Sequence, residues 1–99
     1  EGDVIVKKPE VCRPLVNKYM RLGATNDAAQ VRLLQQFLKD REQLYAGAIN
    51  GVFDRTTDTA VRAFQKKYAQ EILAPWGHTT PTGYVYLTTS RKINALNCQ

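Results

Sequence analysis

The chain has 99 residues, of which 43% are hydrophobic and 23% are charged, which is ordinary for one small globular domain. It contains no apolar run approaching the roughly 20 residues needed to cross a bilayer, so no membrane span is predicted. The formal charge of +5 favours anionic partners such as nucleic acid or acidic wall polymers. Because the sequence starts at Glu1 rather than at Met, we also expect a processed chain.

An extended arm is predicted at the N-terminus, over residues 1–11. It holds a short β-prone run, Val4, Ile5 and Val6, followed by two lysines. Terminal segments are usually disordered unless something holds them, and a β-prone arm can be accepted as an added strand by its own domain or by a neighbour. The rest of the chain, residues 12–98, is expected to form a single domain.

The two cysteines, Cys12 and Cys98, lie near opposite ends of the chain and lack the close spacing of metal or redox pairs. A disulfide between them would close almost the whole domain into one loop, a constraint worth roughly 4–5 kcal/mol by the loop-entropy argument. Two unrelated buried thiols are the alternative. A disulfide would indicate an extracytoplasmic setting, either secreted or at the cell surface.

After the arm, the first predicted element is a short helix between Pro14 and Gly23. Proline suits a first helical position and glycine suits a C-terminal stop. The residues between them would place Leu15, Tyr19 and Leu22 on one face of this helix.

Three further helices are predicted over about residues 28–44, 55–72 and 88–96. The first has a wide apolar face and follows a Thr-Asn-Asp stretch that supplies N-caps. Asp54 is the expected N-cap of the second helix. Pro75 breaks the chain after that helix, so a long irregular connection should follow. The predicted fold class is therefore mainly α, with three principal helices, the short extra N-terminal helix and the extended arm.

The sequence repeats itself across these helices. The stretch "VRLLQQFL" at 31–38 aligns with "VRAFQKKY" at 61–68, and "GVFDRTT" at 51–57 aligns with "GYVYLTT" at 83–89. Each unit is thus a helix followed by a glycine loop that leads into the next helix.

The repeated residues have predictable structural roles. The glycine permits a sharp turn, expected at positive φ, and the apolar residue two positions later should fill the core. Gln35 and Gln65 lie on the core side of their helices, where a buried amide needs partners, and the backbone of the glycine loops is the expected one. Thr57 and Thr89 fall in the first turn of the following helix, where a hydroxyl can satisfy a free backbone N–H. Ligand contact by the two glutamines is the alternative.

A linked set of residues within 28–97 follows one family pattern. Its members are Val31, Leu34, Gln35 and Leu38, then Gly51, Phe53, Thr57, Ala60, Val61, Phe64 and Gln65, then Gly83, Val85 and Thr89. With these residues the chain resembles the peptidoglycan-binding-domain-like family, a small three-helix module of bacterial wall hydrolases. The resemblance implies that fold and a non-catalytic, extracytoplasmic function in binding peptidoglycan or a related wall glycan.

The chain departs from the family pattern at three places. Asn50 replaces the family's Asp, Asp54 replaces its second Gly, and the connection after the second long helix is longer than usual. The flanking cysteines and the "APWG" insert are similar to a sub-type of the family found in secreted bacterial proteins.

No catalytic, metal or cofactor site is predicted. His78 is the only histidine, which excludes a two-histidine zinc site, and neither a phosphate loop nor a dinucleotide fingerprint occurs. Asp54 and Asp58 could form an acid–base pair, but a helix N-terminus attracts acids on structural grounds. We therefore predict a binding protein and not an enzyme. The basic residues are scattered and no recognition helix accompanies them, which argues against a nucleic-acid partner.

Glycan-binding residues are predicted around the second glycine loop. In the stretch "YVY" the valine should point inward and the two tyrosines outward, because side chains alternate in an extended segment. Aromatic rings facing outward can stack on sugar faces, and the insert and the start of the second long helix supply further side chains. The alternative is that the tryptophan fills the core beneath the insert. The predicted groove comprises Trp76, His78, Tyr84, Tyr86 and Arg55.

A structural subunit of an extracellular filament or surface assembly is the alternative function. One module with an arm and no attached enzyme could polymerise if residues 1–10 of each copy dock on the next copy. Such a head-to-tail contact produces a filament when it does not close into a ring. The partners would then be copies of the chain itself.

Overall fold

The computed structural model describes residues 14–98 of the chain. The described part is mainly helical, as the sequence predicts. Helix α1 spans Ala28–Gln36 and continues into a π-helical turn, Phe37–Arg41; α2 spans Arg55–Lys67, α3 spans Ala69–Ile72, a 3-10 turn covers Ala74–Trp76, and α4 spans Leu87–Asn97. None of the described helices is long and apolar enough to cross a bilayer.

The core lies where α1, α2 and α4 meet. Phe64 of α2 is fully buried at its centre, with its ring 5.8 Å from that of Phe37 and 5.0 Å from that of Tyr68. Burying an aliphatic or aromatic side chain of this kind contributes about 1.5–3 kcal/mol relative to leaving it exposed. The other fully buried apolar side chains around it include Val31, Leu34, Leu38, Val61, Ile72, Val85 and Ile93.

The segment between Pro14 and Gly23 is not the predicted short helix. Val16 donates its N–H to Oδ1 of Asn94 and accepts from Nδ2 of the same amide, both at 2.9 Å. Met20 forms an antiparallel bridge with Val85, with N···O distances of 3.2 and 2.8 Å. These tertiary partners take backbone groups that a helix would pair internally, so the segment is irregular and has one bridged residue, Met20.

The predicted burial of this segment also changes with its conformation. Val16 and Met20 are the side chains that enter the core, each 1% exposed. Tyr19 is 53% exposed and Leu22 is 37% exposed, whereas the predicted helix placed both on one apolar face with Leu15. The physical reason is the bridge to the second glycine loop, which turns Met20 inward and its neighbour Tyr19 outward.

The first long helix ends earlier than the predicted residue 44. Its last turn widens, since the N–H of Glu42 donates to the carbonyl of Phe37 at 3.2 Å, and Gln43 then takes a left-handed φ of 58°. The carboxylate of Glu42 is buried and accepts from Nζ of Lys67 at 2.8 Å and from the hydroxyl of Tyr68 at 3.2 Å. This ion pair with the end of α2 holds the chain out of a continuing helix.

The second predicted helix, over residues 55–72, is interrupted at Tyr68. This residue has φ −115° and ψ 41°, outside the helical region, and separates α2 from α3. No glycine or proline marks the break, so the local sequence does not predict it. Besides its contact with Glu42, Tyr68 has Nζ of Lys92 4.7 Å from its ring centroid. The kink thus follows from contacts with residues that are distant in sequence.

Several sequence predictions lie outside the described residues. They are the arm with Val4, Ile5 and Val6, the cysteine Cys12, and therefore its proposed disulfide with Cys98. The boundary between residues 1–11 and 12–98 stays a prediction for the same reason.

Candidate functional site

The first glycine loop is organised by a buried glutamine. Oε1 of Gln35 accepts from the backbone N–H groups of Asn50 and Gly51, both at 3.0 Å. Its Nε2 donates to the carbonyl of Val52 at 2.9 Å and to the hydroxyl of Thr57 at 3.0 Å. One fully buried side chain therefore satisfies both the loop and the start of α2.

The second glycine loop repeats this arrangement with Gln65. Its Oε1 accepts from the N–H groups of Thr82 and Gly83 at 3.0 and 2.9 Å. Its Nε2 donates to the carbonyl of Tyr84 and to the hydroxyl of Thr89, both at 3.1 Å. The predicted structural role of the glutamines is confirmed in both units.

The glycines and threonines explain the repeated phrase. Gly51 and Gly83 have φ of 79° and 76°, so the predicted positive-φ turns are confirmed. Thr57 and Thr89 lie in the first turns of their helices, as expected, but their hydroxyls accept from the glutamines and not from free backbone N–H groups. In α2 that N–H capping is done by Asp54, whose Oδ1 accepts from the N–H of Thr57 at 3.0 Å.

The second loop carries an additional clamp. Arg62 of α2 donates Nε to the carboxylate of Asp58 at 2.8 Å and Nη1 to the carbonyl of Pro81 at 3.0 Å. Asp58 is only 9% exposed and lies directly beside Gly83. Asp54 and Asp58 therefore have structural partners, one as a cap and the other in an ion pair.

This clamped loop presents a cluster of aromatic rings. Val85 is fully buried while Tyr84 and Tyr86 are half-buried and outward, so the predicted alternation is confirmed. The rings of Tyr84 and Tyr86 stack with centroids 5.0 Å apart and an interplanar angle of 16°. Tyr19, from the irregular segment before α1, places its ring 4.4 Å from that of Tyr86 at an interplanar angle of 66°. Arg21, two residues after Tyr19, has its Cζ 5.8 Å from the ring centroid of Tyr84.

Trp76 closes the cluster from the other side. Its Nε1 donates to the hydroxyl of Thr88 at 2.9 Å, and that hydroxyl donates in turn to the carbonyl of Ile72 at 2.7 Å. Its ring lies 5.9 Å from that of Tyr86 and the residue is 46% exposed. Trp76 therefore does not fill the core beneath the insert. It lies at the surface, where its hydrogen bond to Thr88 fixes the orientation of its ring.

A groove of about 240 Å³ lies between these rings. Four of the five residues predicted from sequence line it, whereas Arg55, at the start of α2, does not. The sequence reasoning missed two threonines of the lining, Thr82 and Thr88, and the adjacent ring of Tyr19. The full lining is Gln65, Ile72, Leu73, Trp76, His78, Thr82, Tyr84, Tyr86, Thr88 and Thr89.

Residues 14–98 contain no cluster of three His, Cys, Asp or Glu side chains that could hold a metal ion. The N–H of Thr57 holds the pKa of Asp54 below its ordinary value of 3.8, which is the expected effect of a helix cap on a carboxylate. His78 is exposed at the rim of the groove. The arrangement is one of aromatic and amide groups suited to binding.

Residues 27–72 match the model of the family described as Putative peptidoglycan binding domain. The resemblance inferred from the sequence is confirmed for this segment, which holds α1, α2 and α3, and domains of this family bind and do not catalyse by themselves. No curated protein and no solved structure matches the chain significantly. Of the groove lining, only Gln65 and Ile72 lie inside the matched segment, so its aromatic wall is built by the rest of the chain.

Proposed function

We propose that this chain, whose residues 27–72 match a peptidoglycan-binding family, is a non-catalytic module that binds peptidoglycan or a related wall glycan outside the cytoplasm. The observation that carries the proposal is the groove beside the matched segment, walled by Trp76 and by the stacked tyrosines of the second glycine loop.

The chemistry of the groove supports a sugar ligand. A pyranose ring has a C–H face that packs on an aromatic ring and an edge of hydroxyls that needs polar partners, and Trp and Tyr combine an apolar face with a polar tip. Trp76 is half exposed, and its indole N–H is already satisfied by Thr88, so its face is what it offers to a ligand. The volume of about 240 Å³ is below the roughly 300–1,000 Å³ typical of ligand pockets, which fits a single sugar unit of a longer chain.

The wider organisation follows the same proposal. Residues 12–98 form the binding domain, a disulfide between Cys12 and Cys98 staples it, and the protein acts when secreted or at the cell surface. Small extracellular domains commonly depend on such staples because their cores are modest.

The direct test is co-sedimentation with purified, insoluble peptidoglycan. We expect the wild-type chain to sediment with it and Trp76→Ala to lose at least about tenfold in affinity, which corresponds to about 1.4 kcal/mol. Leu33→Ala is the matched control, because Leu33 is 40% exposed on α1 and does not line the groove. Equal binding by both variants would overturn the groove assignment, and no binding by the wild type would overturn the function.

Arg55 remains a predicted glycan contact and can be tested alongside. Arg55→Ala should bind like the wild type if the groove is the complete site, whereas a loss would extend the site to the start of α2. Assembly through residues 1–10 is tested by the native mass of the chain with and without them: a polymer that collapses to a monomer on deletion would favour the filament function.

A further inference from the structure

The floor of the groove has little hydrogen-bonding capacity left. Both polar atoms of Gln65 are occupied by the second glycine loop and by Thr89. The hydroxyl of Thr88 accepts from Trp76 and donates to the backbone. The buried part of the lining also includes Ile72 and Leu73, which are 1% and 3% exposed. A ligand group reaching this floor must therefore be apolar, because a polar group would lose its water without gaining a partner.

The rim of the groove has the opposite character. Within residues 14–98 the imidazole of His78 and the hydroxyls of Tyr84 and Tyr86 make no hydrogen bond. The hydroxyl of Thr82 accepts from Gln65 and from the N–H of Tyr84, and it still has its own proton to donate. A ligand group at this level can thus be both a donor and an acceptor.

The apolar floor and the polar rim together fit a compact ligand group that has an apolar end next to an amide. An acetamido group has this form, with a methyl for the floor and an N–H and a carbonyl for the rim. A free amine at the same position would be an ammonium at neutral pH, and it would be stripped of water over an apolar floor in a protein whose formal charge is already +5. A lone hydroxyl would leave the floor unfilled.

We propose that the groove recognises the N-acetyl group of an amino sugar, with the face of Trp76 carrying the sugar ring. This inference rests on the proposed wall-glycan function and narrows it: the acetylated glycan strand is the determinant, and the peptide stems of the wall are not.

Trp76 is the only tryptophan in the chain, so its fluorescence reports on the groove directly. The intact chain would be titrated with β-1,4-linked oligomers of N-acetylglucosamine, of glucosamine and of glucose. We expect the acetylated oligomer to change the emission of Trp76 and to bind at least about tenfold more tightly than the other two, a difference of about 1.4 kcal/mol. Equal affinity for the acetylated and free-amine oligomers would overturn the inference.

Insoluble peptidoglycan separates this failure from that of the proposed function. Binding to native peptidoglycan that is lost on chemical de-N-acetylation and restored by re-acetylation supports the inference. Undiminished binding to the de-N-acetylated polymer overturns the inference and leaves wall binding in place. Absence of binding to any form of the polymer overturns both.

A rim variant provides an independent check that leaves the core intact. His78→Ala removes an exposed rim group and should reduce the ratio of affinities for the acetylated and free-amine oligomers. Thr79→Ala is the control, because Thr79 is exposed in the same loop and does not line the groove. An unchanged preference in His78→Ala, together with an unchanged preference in Tyr84→Phe, would contradict recognition at the rim.

Discussion

The two glycine loops share one hydrogen-bonding scheme and differ in what they place at the third residue after the glycine. In the first unit this residue is Asp54, whose carboxylate caps α2 through the N–H of Thr57. In the second unit it is Tyr86, which stands at the N-cap of α4 with no side-chain hydrogen bond to the helix. Its ring instead contacts Tyr19 and Trp76. The second unit therefore carries a groove residue at the position where the first unit carries a capping residue.

The second glycine loop is also held by the Arg62 clamp, which has no counterpart in the first loop. Arg62 pairs with Asp58 and holds the carbonyl of Pro81, whereas the positions equivalent to Arg62 and Asp58 in the first unit are Arg32 and Ala28. Within residues 14–98, Arg32 makes no ion pair. Extra fixation thus occurs in the loop that carries the candidate site, where ring positions must be held before a ligand arrives.

The largest expected effect comes from removing either buried glutamine. Gln35→Ala and Gln65→Ala each leave two loop N–H groups without their acceptor, and Gln65→Ala also removes the donor to the carbonyl of Tyr84. Each should therefore lower the free energy of unfolding by more than about 3 kcal/mol. Only Gln65→Ala should also weaken glycan binding, because only the second loop carries groove rings. Urea denaturation and co-sedimentation below the melting temperature measure the two effects separately.

The matched control for this pair is Gln36→Ala. Gln36 is exposed on α1 beside Gln35, so its loss should change stability by less than about 0.5 kcal/mol. If Gln35→Ala weakened binding as much as Gln65→Ala in the folded state, the two loops would not be independent and the comparison would fail.

Substitution of the loop glycines by alanine should separate the two units further. The cost of placing a Cβ at positive φ is about 1–2 kcal/mol. At Gly51 the added Cβ would lie 3.1 Å from the carbonyl oxygen of Ala28 and 3.3 Å from the guanidinium of Arg32, so these neighbours need shift only by a few tenths of an ångström. At Gly83 it would overlap the carboxylate of Asp58 and press on Arg62, so the clamp must move. Gly83→Ala should therefore be the more destabilising of the two in thermal melts.

Gly23→Ala isolates the backbone part of that cost. Gly23 has φ of 86°, and a Cβ there would meet nothing within 4 Å. The excess of Gly83→Ala over Gly23→Ala then measures the displacement of the clamp, and an excess near zero would show that the clamp does not hold the loop.

The internal repeat made the main features of both glycine loops predictable from the sequence. A buried glutamine must find partners, a glycine before an apolar residue indicates a positive-φ turn, and both arguments use residues within one unit. The outward direction of Tyr84 and Tyr86 followed from alternation around a buried valine. These features depend on local chemistry, which a single sequence contains.

The parts that failed depend on contacts between distant residues. Tyr19 joins the ring cluster because Met20 bridges Val85, and nothing near Tyr19 in the sequence indicates that pairing. A proline and a glycine at suitable spacing favoured a helix there, but partners from Asn94 and Val85 outweighed that local preference. Arg55 is a different case: it does not line the groove, and its role as a glycan contact stays a prediction.

The smallest expected effect concerns the exchanged cap itself. Because the N–H of Thr57 lowers the pKa of Asp54 in the folded chain, its carboxylate stabilises the fold above its unfolded pKa, and this contribution is lost as the pH falls through the lowered, folded value. Asp54→Asn keeps a capping side chain without the charge. The stability advantage of wild type over Asp54→Asn should therefore be present near neutral pH and shrink as the pH falls below about 4.

Placing the first unit's capping residue in the second unit tests the same difference between the two loops. In Tyr86→Asp a carboxylate would stand at the N-cap of α4, within reach of the N–H of Thr89, which corresponds to Thr57 in the first unit. This variant should lose glycan binding, because the ring between Trp76 and Tyr84 is gone. Its new carboxylate cap should also raise the free energy of unfolding near neutral pH, and this gain should disappear when the carboxylate is protonated in acid. Melting curves of Tyr86→Asp and Tyr86→Asn across the acid range give the measurement. If the two variants respond identically to pH, α4 cannot use a carboxylate cap, and the difference between the units is then one of helix geometry and not of side-chain choice.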